Sequence, residues 1–250
     1  MNKEVTERLL ALNREFYAAF ARPFAASRVV CDPAMTCILP YIPQHARVLD
    51  VGCGNGRLAL LLDRERPGVT YLGLDAVPEL VELARAQADQ LTNISAEFRV
   101  ADITQPGWSD PHKLDIVHCP LVIDTAVALA VLHHIPGFDL RVRVLREIAT
   151  MLAPNGCLIL STWQFLENER MRRKIVDWAE VGVVEEALEP GDYLLDWKRE
   201  GQGLRYCHLV DEAEVRQLAG ASGLRVSQTF RAGGRERNLS LFAVLESLPV

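Results

Sequence analysis

The sequence predicts an α/β chain: a doubly wound seven-stranded sheet, mostly parallel with its last strand antiparallel, and a small helical insertion after strand five. Three observations carry this. Short β-branched runs alternate with helical periodicity at roughly one strand per 25 residues, the rhythm of βαβ units. The run Ala46, Val48, Leu49, Val51 passes through Gly52, Gly54 and Gly56 into Leu58 to Leu62, which is strand, tight turn and helix. Near the end, Leu224 to Phe230 and Leu239 to Leu245 flank the turn Ala232-Gly233-Gly234 and form an antiparallel pair.

In order, Val5, Leu9, Leu12, Phe16 and Phe20 recur at helical steps over residues 3 to 21, and Pro23 ends or kinks that helix. Asp32-Pro33 starts a second helix to about Leu39, an N-cap followed by a favoured first residue. This leading segment is expected to cover the mouth of the ligand site. Strand two is Val69 to Leu74, ending at Asp75 and Ala76, and Pro78 opens the next helix. Strand three begins at Phe98 and ends in a second acid, Asp102, followed by Ile103. Strand four is placed at Asp124 to Val131. That leaves Leu114 to Val117 and Leu121 to Ile123 in a long crossing or small insertion. A helix over Leu140 to Leu152 and a strand over Cys157 to Thr162 follow. From Glu169 to about Glu186 the pattern predicts one helix, then Gly191 to Trp197 and Leu204 to His208 around a polar turn. Glu212 to Ala221 is the last helix.

Composition excludes several classes. The net charge is −6, with 49% hydrophobic and 24% charged residues, and no part of the chain is basic enough to mark a nucleic-acid footprint. The six cysteines lie scattered without a C-x-x-C pair, which argues against a metal site or a disulfide framework. Reduced thiols of a cytoplasmic protein fit better. Charged side chains interrupt the N-terminus, so neither a signal peptide nor a membrane span is expected.

The glycine turn is the ligand signal. Asp50 precedes Gly52-Cys53-Gly54-Asn55-Gly56, and Arg57 stands where a dinucleotide fingerprint needs a third small residue. Asp75 lies 19 residues after Gly56, at a strand end where a carboxylate accepts hydrogen bonds from ribose hydroxyls. His133 and His134 follow strand four, at the open end of the sheet where ligands bind in such folds.

With its acid and its G-x-G-x-G spacing, this turn resembles motif I of the class I S-adenosylmethionine (SAM) methyltransferases, whose sheet is Rossmann-like. The resemblance covers about residues 46 to 163 and returns at 210 to 246. It implies SAM as cofactor, with Asp50, Gly52, Cys53, Gly54, Asp75 and Ala76 around its nucleoside and methionine. It also implies Asp102 near the adenine amine, Ile103 on the ring face, and Ala130 and His133 towards the methionine end. The parts become an N-terminal cap (1–40), a SAM-binding core (41–163), an inserted acceptor lobe (164–206) and a C-terminal helix with two strands (207–250).

More narrowly, several motifs are similar to the family that methyl-esterifies carboxymethyl-type uridines at the tRNA wobble position. Phe24-Ala-Ala-Ser-Arg28 resembles its Phe-Ser-x-x-Arg, which implies that Arg28 meets the cofactor. Ala130-Val-Leu-His-His134 resembles its motif four, Gly191-Asp-Tyr-Leu-Leu-Asp-Trp197 its Asp-x-x-Val-Pro-Trp, and Arg205-Tyr-Cys-His208 its Arg-Tyr-Tyr-His. Asp196, Cys207 and Leu239 depart from that pattern. The resemblance implies a tRNA acceptor, with a small protein activator as partner. A small-molecule acceptor, such as a quinone precursor or polyketide, and a SAM-binding subunit without turnover are the alternatives.

A carboxylate acceptor is anionic near neutral pH and needs a clamp rather than a base. Arg205, Tyr206 and His208 are the candidates at the acceptor. Alternation puts Arg205 and Cys207 on one face, Tyr206 and His208 on the other. Arg205 either holds the acceptor's anion or pairs with Asp192 or Asp211. His208 is the base if the acceptor is a hydroxyl or amine.

Overall fold

β1 (Arg47–Val51) is the strand around which the sheet reverses its order. The structure, a computed structural model, describes residues 1–27, 33–110, 122–198, 201–234 and 236–247. The remaining strands of the large sheet are β2 (Thr70–Asp75), β3 (Ser95–Val100), β4 (Ile123–Leu129), β5 (Leu152–Trp163), β9 (Leu224–Ala232) and β10 (Ser240–Ser247). Their order is β3-β2-β1-β4-β5-β10-β9. β1 pairs in parallel with both β2 and β4, while β10 runs antiparallel to β5 and β9. This is the doubly wound class that the sequence predicts.

Both faces of the sheet are buried, because successive side chains point to opposite sides. Leu158 and Leu160 of β5 join one core cluster with Ala126, Leu145 and Leu241. Ile159 between them joins the other with Val48, Leu62 and Phe242. The helices Arg57–Glu65, Pro78–Ala88, Phe138–Met151 and Glu212–Ala221 supply the covers. Buried leucines of this kind contribute about 2 kcal/mol each.

The insertion differs from the expected helical one. Residues 169 to 186 do not form one helix. Instead there is a single turn, Glu169–Arg172, then β6 (Ile175–Val176) and short 3-10 turns at Trp178–Val181 and Glu185–Ala187. Ile175 and Val176 are β-branched and pair with Leu195 and Leu194. Asp177 caps the following turn by accepting from the Ala179 amide at 2.7 Å, and Gly182 ends it with φ of 61°. β6, β7 (Asp192–Trp197) and β8 (Gly203–His208) form a separate antiparallel sheet.

Smaller differences lie at element ends. The helix expected to run to Leu39 covers only Pro33–Thr36 among the described residues, followed by a 3-10 turn at Leu39–Tyr41, and a short helix, Ala21–Ala26, precedes it. β5 starts at Leu152, earlier than the expected Cys157, with an irregular register against β4. The expected short strands at Leu114 to Val117 and Leu121 fall on residues 111–121, outside the described residues.

The first helix, Lys3–Ala19, packs on the small sheet through Leu9, which is fully buried with Trp178, Leu194 and Tyr206. Asn13 makes the polar join. Its Nδ2 donates to the carbonyls of His134 (3.1 Å) and Tyr206 (3.2 Å), and its Oδ1 accepts from the Tyr206 amide at 2.8 Å. On the other side, buried Arg141 donates to Glu189 and to Glu214, each at 2.9 Å, and to the Ile135 carbonyl. Arg141 thus ties the inserted lobe to two core helices.

Asp50, next to last in β1, is buried and accepts from the Tyr71 hydroxyl at 2.5 Å. Burial pushes its pKa up to about 7, against the Tyr71 hydrogen bond that lowers it. The folded chain therefore keeps a proton here that the unfolded chain loses near pH 4. The contribution of Asp50 to stability is therefore fully present below that pH and is lost as pH rises towards 7. Asp50→Asn is expected to gain stability relative to the parent by about 3 kcal/mol between pH 4.5 and 7.5. Parallel urea-denaturation curves for the two proteins at both pH values would refute the assignment.

Candidate active site

A cavity of about 260 Å³ opens beyond the C-terminal ends of β1, β2 and β4, where the strand order reverses. Its floor is the glycine turn. Gly52, Gly54 and Gly56 all have positive φ, which a side chain tolerates poorly. The Gly52 and Cys53 amides donate to the Leu74 carbonyl at 2.7 and 2.9 Å, fixing the turn against β2. A Cβ on Gly52 would lie 2.4 Å from Val131 Cγ2, whereas one on Gly54 would meet nothing within 4 Å. Gly54 therefore faces open cavity.

Asp75 stands across from it. Its Oδ2 accepts from the Gly54 amide at 2.8 Å and its Oδ1 from the Val77 amide at 3.0 Å. Burial raises its pKa, opposed by amide hydrogen bonds from Val77, Gly54 and Ala76. Each carboxylate oxygen retains a lone pair for a ligand hydroxyl. Asp102 lies beyond β3 and accepts from the Thr104 amide at 2.9 Å and from Arg14 at 3.3 Å. Ile103 is nearly buried beside it. Ala130 follows β4 with φ of 58° and donates its amide to the Ser161 carbonyl at 3.0 Å. This left-handed turn throws the chain out of the sheet and into the histidine pair.

The cavity gathers Gly52, Cys53, Gly54, Asp75, Ala76, Asp102, Ile103 and Ala130. It does not gather Asp50, which points into the core, or His133, which is fully buried against Trp163 at a ring-centroid distance of 4.6 Å. His134 lines the wall in its place. Arg28 lies outside the described residues. Burial pushes the Cys53 thiol pKa well above its ordinary value, so it remains a neutral lining group.

The three acceptor candidates on β8 separate as alternation requires. Tyr206 and His208 face away from the cavity into a sealed network. The Tyr206 hydroxyl donates to Asp192 at 2.7 Å, and His208 bridges Asp192 (2.6 Å) and Glu214 (2.8 Å). Burial lowers the His208 pKa, but the hydrogen bonds to Asp192 and Glu214 outweigh it and raise it above the usual value. Neither residue reaches the cavity, because both are spent on holding the small sheet to the core.

Arg205 is 2% exposed and sits one layer behind the cavity wall. Its guanidinium carbon lies 4.6 Å from the Trp163 ring centroid, 5.3 Å from Phe16 and 5.5 Å from Trp197. Its Nη1 donates to the Tyr17 hydroxyl at 3.5 Å. Among the described residues no carboxylate pairs with it: Asp192 is taken by Tyr206 and His208, and Asp211 caps the helix Glu212–Ala221. The sequence places the leading segment over the mouth of the site without naming the residues of the first helix that wall it. Leu10, Arg14 and Tyr17 all line the cavity, and their i, i+4, i+7 spacing was the available signal.

The family model of the methyltransferase domain matches residues 22–229. This chain belongs to that family. It is a SAM-dependent methyltransferase domain of the class I, Rossmann-like fold. Over 117 residues the methyltransferase is 33% identical to a ubiquinone biosynthesis O-methyltransferase of Xanthomonas campestris, covering 47% of this chain and 43% of that one. Over 157 residues it is 31% identical to the tRNA (carboxymethyluridine(34)-5-O)-methyltransferase of Saccharomyces cerevisiae, covering 63% and 49%. The chain thus spans less than half the length of either relative.

Among solved structures, a SAM-dependent methyltransferase of Methanosarcina mazei is similar with a TM-score of 0.64 and 22% identity, over 85% of this chain and 97% of that one. A Haloferax volcanii methyltransferase in complex with the Trm112 activator has a TM-score of 0.62 and 18% identity, over 95% and 98%. The magnesium protoporphyrin IX methyltransferase of Synechocystis with bound SAM has 0.59 and 16%, over 99% and 100%. At these identities the likeness is one of fold.

The residues present fit SAM. The open space at Gly54 admits a ligand against bare backbone, and Asp75 offers acceptors to a diol. Gly54→Val and Asp75→Ala are each expected to weaken SAM binding by roughly tenfold or more, the value of one or two hydrogen bonds or a steric block. Calorimetry checks this, and unchanged affinity in Asp75→Ala would remove that residue from the cofactor site.

Proposed function

We propose that this protein transfers the methyl group of SAM to a carboxylate, and that its acceptor is a carboxymethyl-type uridine at the wobble position of tRNA. Arg205 carries the reading. A buried cation without an anionic partner is costly, and an anionic ligand offsets that cost. Guanidinium is the group suited to a planar, two-oxygen anion.

In this reading Gly54, Asp75 and Ala76 hold the nucleoside, with Ile103 against the base and Asp102 at its edge. Ala130 and His134 border the reacting end. SAM supplies an electrophilic methyl and leaves as a neutral thioether. The residues of the chain mainly orient the acceptor and exclude water. Trp163 and Tyr17 stand between Arg205 and the cavity, so in this reading the carboxylate reaches the guanidinium as these two side chains turn aside. Residues 164–206 serve as the acceptor lobe, since β6, β7 and most of β8 lie there beside the aromatic cage.

The yeast and plant tRNA methyltransferases among the relatives support the tRNA acceptor. The acidic balance of the chain supports a partner that supplies basic surface, and the Haloferax complex supports a small activating subunit as that partner. Four free thiols among the described residues, and the absence there of a helix long and apolar enough to cross a membrane, support a cytoplasmic enzyme.

Labelled SAM incubated with total tRNA is expected to give an alkali-labile methyl ester. Label confined to a solvent-extractable metabolite would refute the tRNA acceptor. Arg205→Ala is expected to leave SAM affinity intact and to lower kcat/KM roughly 30- to 100-fold, the value of one charge-assisted contact. Loss of SAM affinity instead would mean that Arg205 supports the cofactor pocket.

A further inference from the structure

The acceptor end of the cavity holds a hydrogen-bonded chain for which carboxylate methylation has no use. Tyr17 lines the cavity from the first helix and His134 from the turn after β4. The Tyr17 hydroxyl lies 2.8 Å from His134 Nε2, and His134 Nδ1 lies 3.1 Å from the Tyr206 carbonyl oxygen. A carbonyl only accepts, so the neutral ring carries its hydrogen on Nδ1 and offers Nε2 as the acceptor. Tyr17 therefore donates to Nε2. Its oxygen in turn accepts from Arg205 Nη1 at 3.5 Å.

A phenol between an imidazole acceptor and a buried guanidinium is arranged to pass its proton inward and to carry negative charge as it does so. A carboxylate has no proton to give such a group. A phenolic hydroxyl, with a pKa of about 10, is neutral at pH 7 and must lose one. Trp163 and Phe24 line the same end of the cavity and suit an aromatic ring.

We propose that Tyr17 and His134 are a proton-accepting pair at the methyl-acceptor site, through which the enzyme also methylates a neutral hydroxyl on an aromatic ring. The proposal goes beyond the carboxylate reading and does not rest on it. The acceptor O–H proton passes to Tyr17 Oη as the Tyr17 proton passes to His134 Nε2. The freed oxygen pair forms the O–CH3 bond, and the carbon–sulfur bond of the sulfonium breaks with its electron pair on sulfur. The products are a methyl ether, a neutral thioether and an imidazolium that returns its proton to solvent.

The charged and titratable groups facing the pair agree with this direction. Arg205 favours a phenolate on Tyr17. Cys207 Sγ is 3.6 Å from His134 Nδ1, and burial pushes that thiol pKa up to about 12, so it stays neutral. His133 lies beside His134 at 4.3 Å between centroids with the rings tilted by 56°, and Arg14, Asp102 and Asp75 line the same cavity.

A dihydroxybenzoate tests the pair, because it presents a carboxylate and phenols on one ring. With methyl-labelled SAM the parent enzyme is expected to give an alkali-stable ether, at a rate that rises about tenfold per pH unit on the acid side and then levels. Tyr17→Phe and His134→Gln are each expected to lower ether formation roughly 100-fold or more, with SAM binding by calorimetry as the folding control. Label in the alkali-labile ester alone, or in tRNA but never in the phenol, would overturn the pair and leave the carboxylate reading standing. A flat pH profile with full ether formation in Tyr17→Phe would overturn it too. Ether without ester on either substrate supports the pair and overturns the carboxylate reading. No product from protein that binds SAM overturns both.

Discussion

The site depends on three hydrogen bonds made by one buried amide. Asn13 reads the backbone of β8 and of the histidine turn at once, donating to two carbonyls and accepting from one amide. The Tyr206 amide is shielded from water, so leaving it unmatched would cost about 1 to 3 kcal/mol, whereas the Tyr206 carbonyl also lies 3.1 Å from His134 Nδ1. A carboxamide satisfies all three, which no apolar side chain at position 13 could do. The first helix, the small sheet and the end of β4 are thereby held as one wall. Tyr17, one turn further on, reaches His134 and Arg205 from that fixed base.

The opposite side of the small sheet is held by charge. Arg141 is almost fully buried and faces Glu189 and Glu214, while His208 links Asp192 to Glu214. Such a network is a weak source of net stability but a strict one for geometry, since removal of a single member strands a buried charge. It ties Glu189 and Asp192 of the inserted lobe to the core helices Phe138–Met151 and Glu212–Ala221. The cavity is therefore built from two halves of different origin. The part around the glycine turn rests on parallel strands and their loops, and the part around Tyr17 and His134 rests on polar ties between distant segments.

That difference explains what was legible in the sequence. Gly52, Gly54 and Asp75 could be found because a βαβ unit puts them within a few residues of strand ends, and local patterns report local geometry. Asp50 carries the same motif signal but lies within β1, where alternation turns it inwards to Tyr71. His133 and His134 are adjacent, and only the turn begun at Ala130 decides which faces the cavity. Tyr206 and His208, expected at the acceptor, face away from the cavity because their partners, Asp192, Arg141 and Glu214, come from three other elements. The helix expected over 169 to 186 failed for a similar reason: Ile175 and Val176 are helix-compatible locally, and their partner strand lies some twenty residues away.

The tie between Asn13 and Tyr206 spans 193 residues of chain. On a ribosome the first helix emerges long before its seat exists. Until β8 follows, Leu9 and Phe16 have no small sheet to cover, and loop closure over such a length is slow compared with assembly of neighbouring βαβ units. The parallel strands β1 to β5 can therefore pair while their crevice still stands open to solvent, and the wall that carries Tyr17 closes over it only after β8 has followed.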